Sequence, residues 1–120
     1  MMDTCSVFRV EDRMKEGLKK IKELQDKYLS VGIDDKSKGF NTNLLEVAEL
    51  GSLLNTAETI ITCAINRQES RGAHWREDFA KRDDTNWLKH SLIFDTTDST
   101  PDIRYKPVII KQFEPKERVY

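Results

Sequence analysis

The densest run of reactive side chains in this chain is Arg71, His74, Arg76, Glu77, Asp78, Arg82 and Asp83. An imidazole titrates near neutral pH, so His74 has the chemistry of a general acid or base. Such a base needs a nucleophile beside it, and the nearest hydroxyl in sequence, Ser70, lacks the glycine-flanked elbow that exposes one. Arginines and carboxylates at this density instead suit bidentate, charge-assisted bonds that fix a loop against another surface. Exposed pairs contribute only about 0 to 1 kcal/mol each, so a network this dense makes physical sense where an interface partly desolvates it. A plainly solvated charged surface is the simpler alternative.

Other chemistries have less support. His90 lies near Trp87, a pair that suits packing or capping better than a cofactor pocket. Trp75, Arg76 and Phe79 have the shapes to stack on bases, but 20 Lys and Arg against 21 Asp and Glu leave a formal charge of -1 and no field for nucleic acid. The glycine-rich dinucleotide fingerprint, the phosphate-cradling lysine loop and the paired-histidine zinc motif are all missing from the sequence. Cys5 and Cys63 stand alone, without the close pairing or nearby histidine of a zinc site, so no metal is expected. Two unpaired thiols fit a reducing compartment.

The elements that must position these residues follow from periodicity. At 120 residues and 14.0 kDa the chain has room for one modest core, and a single domain over residues 1–120 is expected. Met14, Leu18, Ile21, Leu24 and Tyr28 recur at steps of three and four, predicting an amphipathic helix over about 11–31. Gly32, Asp34, Asp35, Ser37 and Gly39 then make a loop. A second helix over about 43–67 should be capped by Asn41, Thr42 or Asn43, with Glu46 near its positive end. Its stripe of Leu, Val, Ala and Ile from Leu44 to Ile65 is too wide for one partner helix to cover. Residues 68–83 read as an ordered loop, with Asp83 or Asp84 capping a short turn that carries Trp87. Ser91 to Asp95 and Ile103 to Val108 read as a hairpin over about 91–108, and 109–120 as an extended tail. The first residues lack a signal peptide's basic start and apolar run, and no stretch is apolar enough to span a membrane.

At these residues the sequence resembles the C-terminal region of the succinate dehydrogenase and fumarate reductase flavoprotein subunits, to which L-aspartate oxidase is also related. The resemblance rests on Val7-Phe8-Arg9, on Asn41-Thr42-Asn43-Leu44-Leu45-Glu46, and most specifically on Glu69-Ser70-Arg71-Gly72-Ala73-His74 followed by Arg76-Glu77-Asp78, Arg82-Asp83-Asp84 and Asn86-Trp87-Leu88-Lys89-His90. Tyr105-Lys106-Pro107-Val108 and then Pro115, Glu117, Arg118 and Tyr120 resemble the same subunit's end. Ala80 departs from the family's usual proline, and Asn66 interrupts its run of small residues.

The resemblance implies a mainly α fold: a spectrin-repeat-like helical bundle, its first helix truncated near Met1 to Cys5, followed by a short β-hairpin and an extended tail. It implies a docking and stabilising domain of a flavoprotein that interconverts succinate and fumarate. The catalytic and flavin-binding residues of that family lie upstream, so no catalytic, cofactor-binding or metal residue is expected here, and FAD is implied only for the full-length subunit. At the domain interface, Arg71, His74, Arg76, Asp78, Arg82 and Asp83 are expected to contact the upstream flavin-binding domain rather than to build this domain's own core, and Trp87 to anchor the segment that follows. An iron–sulfur subunit is the further partner implied, with a cytoplasmic location at the inner face of the membrane through partner subunits. The uncovered helical stripe leads to an expectation that the isolated chain pairs with a second copy or folds its tail over that face. A freestanding protein-binding module is the alternative, and a small enzyme centred on His74 a more distant one.

Overall fold

A helix whose apolar residues repeat every three or four positions needs a second helix to bury them, and that pairing dominates the computed structural model of the chain. The structure describes residues 1–94 and 101–116. In order, it contains β1 (Phe8–Arg9), α1 (Glu11–Tyr28), α2 (Thr42–Asn66), β2 (Trp75–Arg76), a single 3-10 turn (Glu77–Phe79), α3 (Asp84–Trp87), β3 (Lys89–Phe94) and β4 (Asp102–Pro107). The segment Met1–Arg82 forms one compact unit and Asp83–Tyr120 a second.

In the first unit α1 and α2 pack around Cys5, Met14, Ile21, Ile61 and Ala64, with Leu18, Ala57 and Ile65 partly buried against them. Two glycines set the approach of the helices. A methyl group at Gly17 would stand 2.5 Å from the Thr4 hydroxyl and 2.8 Å from Ile61 of α2, and one at Gly51 would stand 2.6 Å from the Tyr28 hydroxyl. Each glycine is thus a notch for a large side chain of the other helix, and Gly17 also makes room for Thr4. Further along the pair, the Gln25 side chain donates to Glu58 at 2.7 Å.

The helix limits differ slightly from those expected. α1 ends at Tyr28 rather than near residue 31, because the amides of Ser30 and Val31 bond only three residues back, to the carbonyls of Lys27 and Tyr28. Of the three possible caps for α2, Asn41 does the work: its Oδ1 accepts from the Leu44 amide at 2.8 Å, and its Nδ2 donates to the Asp35 carbonyl at 2.8 Å. Just before it, Phe40 takes a positive φ of 51° with its ring fully exposed. Ahead of β1 the Met1 carbonyl accepts from the amides of Thr4 and Cys5 in a single turn.

One partner helix leaves much of α2 wet. Leu44, Leu45, Leu50, Leu53 and Ile60 are all exposed, Leu53 by 64%. Among the described residues, no helix is long and apolar enough to cross a membrane.

The second unit opens with α3, capped by Asp83, whose Oδ1 accepts from the amides of Thr85 and Asn86 at 3.0 and 2.9 Å. β3 and β4 pair antiparallel from Lys89↔Pro107 to Phe94↔Asp102, so the hairpin begins two residues earlier than expected. Its expected Thr/Asp/Ser turn, and Glu117, Arg118 and Tyr120 of the tail, lie outside the described residues. Trp87 meets Tyr105 edge-on with ring centroids 5.9 Å apart, and the Lys89 ammonium lies 4.6 Å from the Trp87 ring centre and 3.9 Å from that of Tyr105.

Replacing Gly17 by Ala tests the helix approach. Helix propensity alone favours Ala by about 1 kcal/mol, but overpacking a core costs about 1 to 3 kcal/mol. The clash with fully buried Ile61 should win, giving a net loss of stability in urea unfolding; Gly32→Ala, with open space around it, should show no such loss.

Candidate functional site

The last turn of a helix leaves carbonyls without partners, and α2 carries no basic residue there to meet them. Arg76 supplies the missing charge from the loop beyond. Its Nη1 donates toward the carbonyls of Ala64, Ile65 and Arg67 at 3.1, 2.9 and 3.2 Å. Its Nε and Nη2 grip Asp78 in a fork at 2.7 and 2.6 Å, and Nη2 also reaches Glu11 in the first turn of α1 at 3.3 Å. The Phe79 ring closes one side, 4.9 Å from the guanidinium carbon. Arg76 is wholly buried.

Ser70 and Glu69 shape the same loop from the other side. The buried Ser70 hydroxyl accepts from the Arg76 amide at 2.8 Å and points its own proton at the carbonyls of Phe79 and Arg76, 2.9 and 3.2 Å away. Glu69, also wholly buried, takes a bidentate pair of bonds from Arg71 at 2.9 Å each and a further bond from Arg67. Arg71 and His74 exchange backbone bonds of 2.8 and 3.1 Å around Gly72 and Ala73. That tight turn needs the positive φ of 59° that Gly72 adopts.

His74 has both ring nitrogens engaged: Nδ1 with the Arg9 guanidinium and Nε2 with the Arg67 carbonyl at 3.2 Å. Burial, together with the charges of Arg9, Arg76 and Arg67, pushes its pKa below 6.5 against the opposing pull of the carbonyl bond. Burial pushes the Cys5 and Cys63 thiols up, so neither is a ready nucleophile. Ser70, the nearest hydroxyl to His74 in sequence, spends its bonds on the loop backbone. Among the described residues, no group of three His, Cys, Asp or Glu is placed to hold a metal.

Of the seven residues expected at the domain interface, the structure gathers Arg71, His74, Arg76 and Asp78 into one network. Arg82 ends the first unit, whereas Asp83 and Trp87 belong to the second, as helix cap and aromatic packing. For Arg76 the expectation needs correcting. Its buried guanidinium caps this chain's own helix, a role invisible in sequence because its acceptors are backbone carbonyls. Arg9 and Glu11 also join the network from 65 residues away, a distance that no local pattern bridges. Glu69 had a local signal, a carboxylate between Arg67 and Arg71.

This loop is the run that carried the family likeness, and the comparisons bear on it directly. The model of the family described as fumarate reductase flavoprotein C-term matches residues 1–120. The chain belongs to that family. It is 42% identical to the fumarate reductase flavoprotein subunit of Haemophilus influenzae over the whole chain and 20% of that protein. The mitochondrial succinate dehydrogenase [ubiquinone] flavoprotein subunit of Oryza sativa is 40% identical, with the same two coverages. A solved structure of E. coli quinol fumarate reductase superposes with a TM-score of 0.92 at 43% identity, covering 100% of this chain and 21% of that one. This family member therefore spans about one fifth of the length of the curated relatives it matches. Its mainly α architecture with a short antiparallel hairpin is the fold of the matched region.

The relatives are named flavoprotein subunits, so a depression among the described residues can be compared with what a flavin needs. An open depression on α2 is lined by Ala48, Glu49, Ser52 and Leu53. It offers a carboxylate and no cation where a pyrophosphate needs donors and positive charge, and it does not fit the group.

Arg76→Ala should cost about 1 to 3 kcal/mol in chemical denaturation, because buried carbonyls at the end of α2 lose their donor while the partly solvated Glu11 and Asp78 can turn to water. The hydrogen bond from Arg76 is the first cause holding Asp78 below its usual 3.8. A carboxylate depressed in the folded state contributes fully above that value and loses its contribution as pH falls through the folded one. The stability gap between the native chain and Asp78→Asn should therefore be constant above pH 3.8 and narrow below it.

Proposed function

We propose that the chain is the C-terminal docking and stabilising domain, over residues 1–120, of a flavoprotein subunit that interconverts succinate and fumarate, and that it is not catalytic alone. One observation carries this reading: the family match runs the whole length of the chain, at 42% identity to a fumarate reductase flavoprotein subunit. FAD would then be held by the rest of the subunit. The surface around Arg71, His74, Asp78 and Arg82 is the contact toward the flavin-binding domain, with Arg76 as the post behind it; Asp83 and Trp87 shape the segment that follows. The iron–sulfur subunit is the further partner, and attachment to the inner face of a membrane would come through partner subunits. A freestanding binding module is disfavoured by a match that leaves no part of the chain outside the family.

The test is a flavoprotein subunit carrying this segment, compared with the same subunit lacking it. Loss of fumarate reduction on deletion, restored when the 120-residue chain is added back, supports the reading. A deleted subunit that keeps its flavin, activity and thermal stability overturns it. For the exposed leucines of α2, we further propose that the chain alone pairs with a second copy. Sedimentation should show a concentration-dependent dimer, lost in Leu45→Glu and Leu53→Glu variants, and a monomer at all concentrations counts against it.

A further inference from the structure

We propose that His74 is a proton-operated latch, holding β1 against the end of α2 while the imidazole is neutral and releasing it on acidification. The carbonyl of Arg67 can only accept, so the proton of the neutral ring must sit on Nε2, 3.2 Å away. Nδ1 is then a bare lone pair, and the group facing it is the Arg9 guanidinium, which can only donate. The two bonds demand one tautomer of one protonation state. Through them the ring ties β1 to the residue that ends α2.

A second proton on the ring would break this arrangement twice over. It would set an N–H against the N–H of Arg9, and it would add positive charge among Arg9 of β1, Arg67 at the end of α2 and Arg76 of β2. The neighbouring carboxylates are already engaged: Glu69 by Arg67 and Arg71, and Asp78 and Glu11 by Arg76. Outside the strand, Cys5 in the core and the Glu11 amide on Asp78 hold its two flanks, but the strand itself has few other ties. β1 pairs with β2 over two residues only, through contacts such as the Trp75 amide on the Val7 carbonyl at 3.1 Å. Phe8 is 71% exposed and Val7 46%, so apolar burial adds little. Because burial and the three arginines lower the folded pKa, the latch holds fully above 6.5 and weakens as pH falls from there. Bonds from Lys15 and from Arg76 hold Glu11 and Asp78 below their ordinary values, so neither carboxylate gains a proton as pH first falls below 6.5. The inference does not depend on the proposed function.

The experiment is an NMR titration of the full chain, reading the His74 ring nitrogens together with the protection of the Trp75 and Ile61 amides, corrected for intrinsic exchange. The expected result is the Nε2–H tautomer at neutral pH. As His74 protonates, Trp75 protection should fall on the order of tenfold, the worth of one charge-assisted bond, while Ile61 is unchanged. His74→Gln, which keeps a neutral donor and acceptor, should abolish that pH dependence. The Nδ1–H tautomer, Trp75 protection that stays flat through the His74 midpoint, equal loss at Ile61, or the same loss in His74→Gln would each overturn the latch. Should the variant fail to fold, the tautomer and the shared midpoint in the native chain still decide.

Discussion

A buried guanidinium bonded to the bare end of a helix is the constraint on which the first unit depends. Arg76 answers two carbonyls of α2 and that of Arg67 just beyond it, an aspartate two residues away and a glutamate at the start of α1. A charge taken out of water this completely is costly unless every donor finds an acceptor, and that requirement dictates the surrounding loop. Ser70 must fix the Arg76 backbone, and Gly72 must turn the chain so that His74 comes back beside Arg71. The dense charge of this segment is therefore internal architecture as much as surface.

How much of this could be read beforehand varied with the range of the interaction. Helical periodicity exposed α1 and α2 to within three residues at each end, because that signal is local and repeats many times. The width of the α2 stripe likewise announced leucines that a single partner would leave wet. The β1–β2 pair was not legible, since two residues a side carry no period. The charged loop was found, but the burial of Arg76 was not. Its partners are main-chain carbonyls, which every sequence possesses and no side-chain pattern marks.

The unsealed face of α2 and the sealed loop at its end make a useful contrast. The leucines remain a liability of unburied apolar surface, whereas the polar loop has spent its donors and acceptors inside the chain. Membership of a family whose curated relatives are about five times longer gives that liability a physical rationale. An apolar face can await a neighbour at modest cost, but an unsatisfied buried charge cannot.

The two glycine notches have a mechanical consequence. Gly17 receives Ile61 and Gly51 receives Tyr28, near opposite ends of the helix pair. Sliding one helix past the other by a turn, about 5.4 Å, would drive both large side chains out of their recesses and onto helix backbone. The pair is keyed against shear, a strut between the Phe40 loop and the Arg76 end.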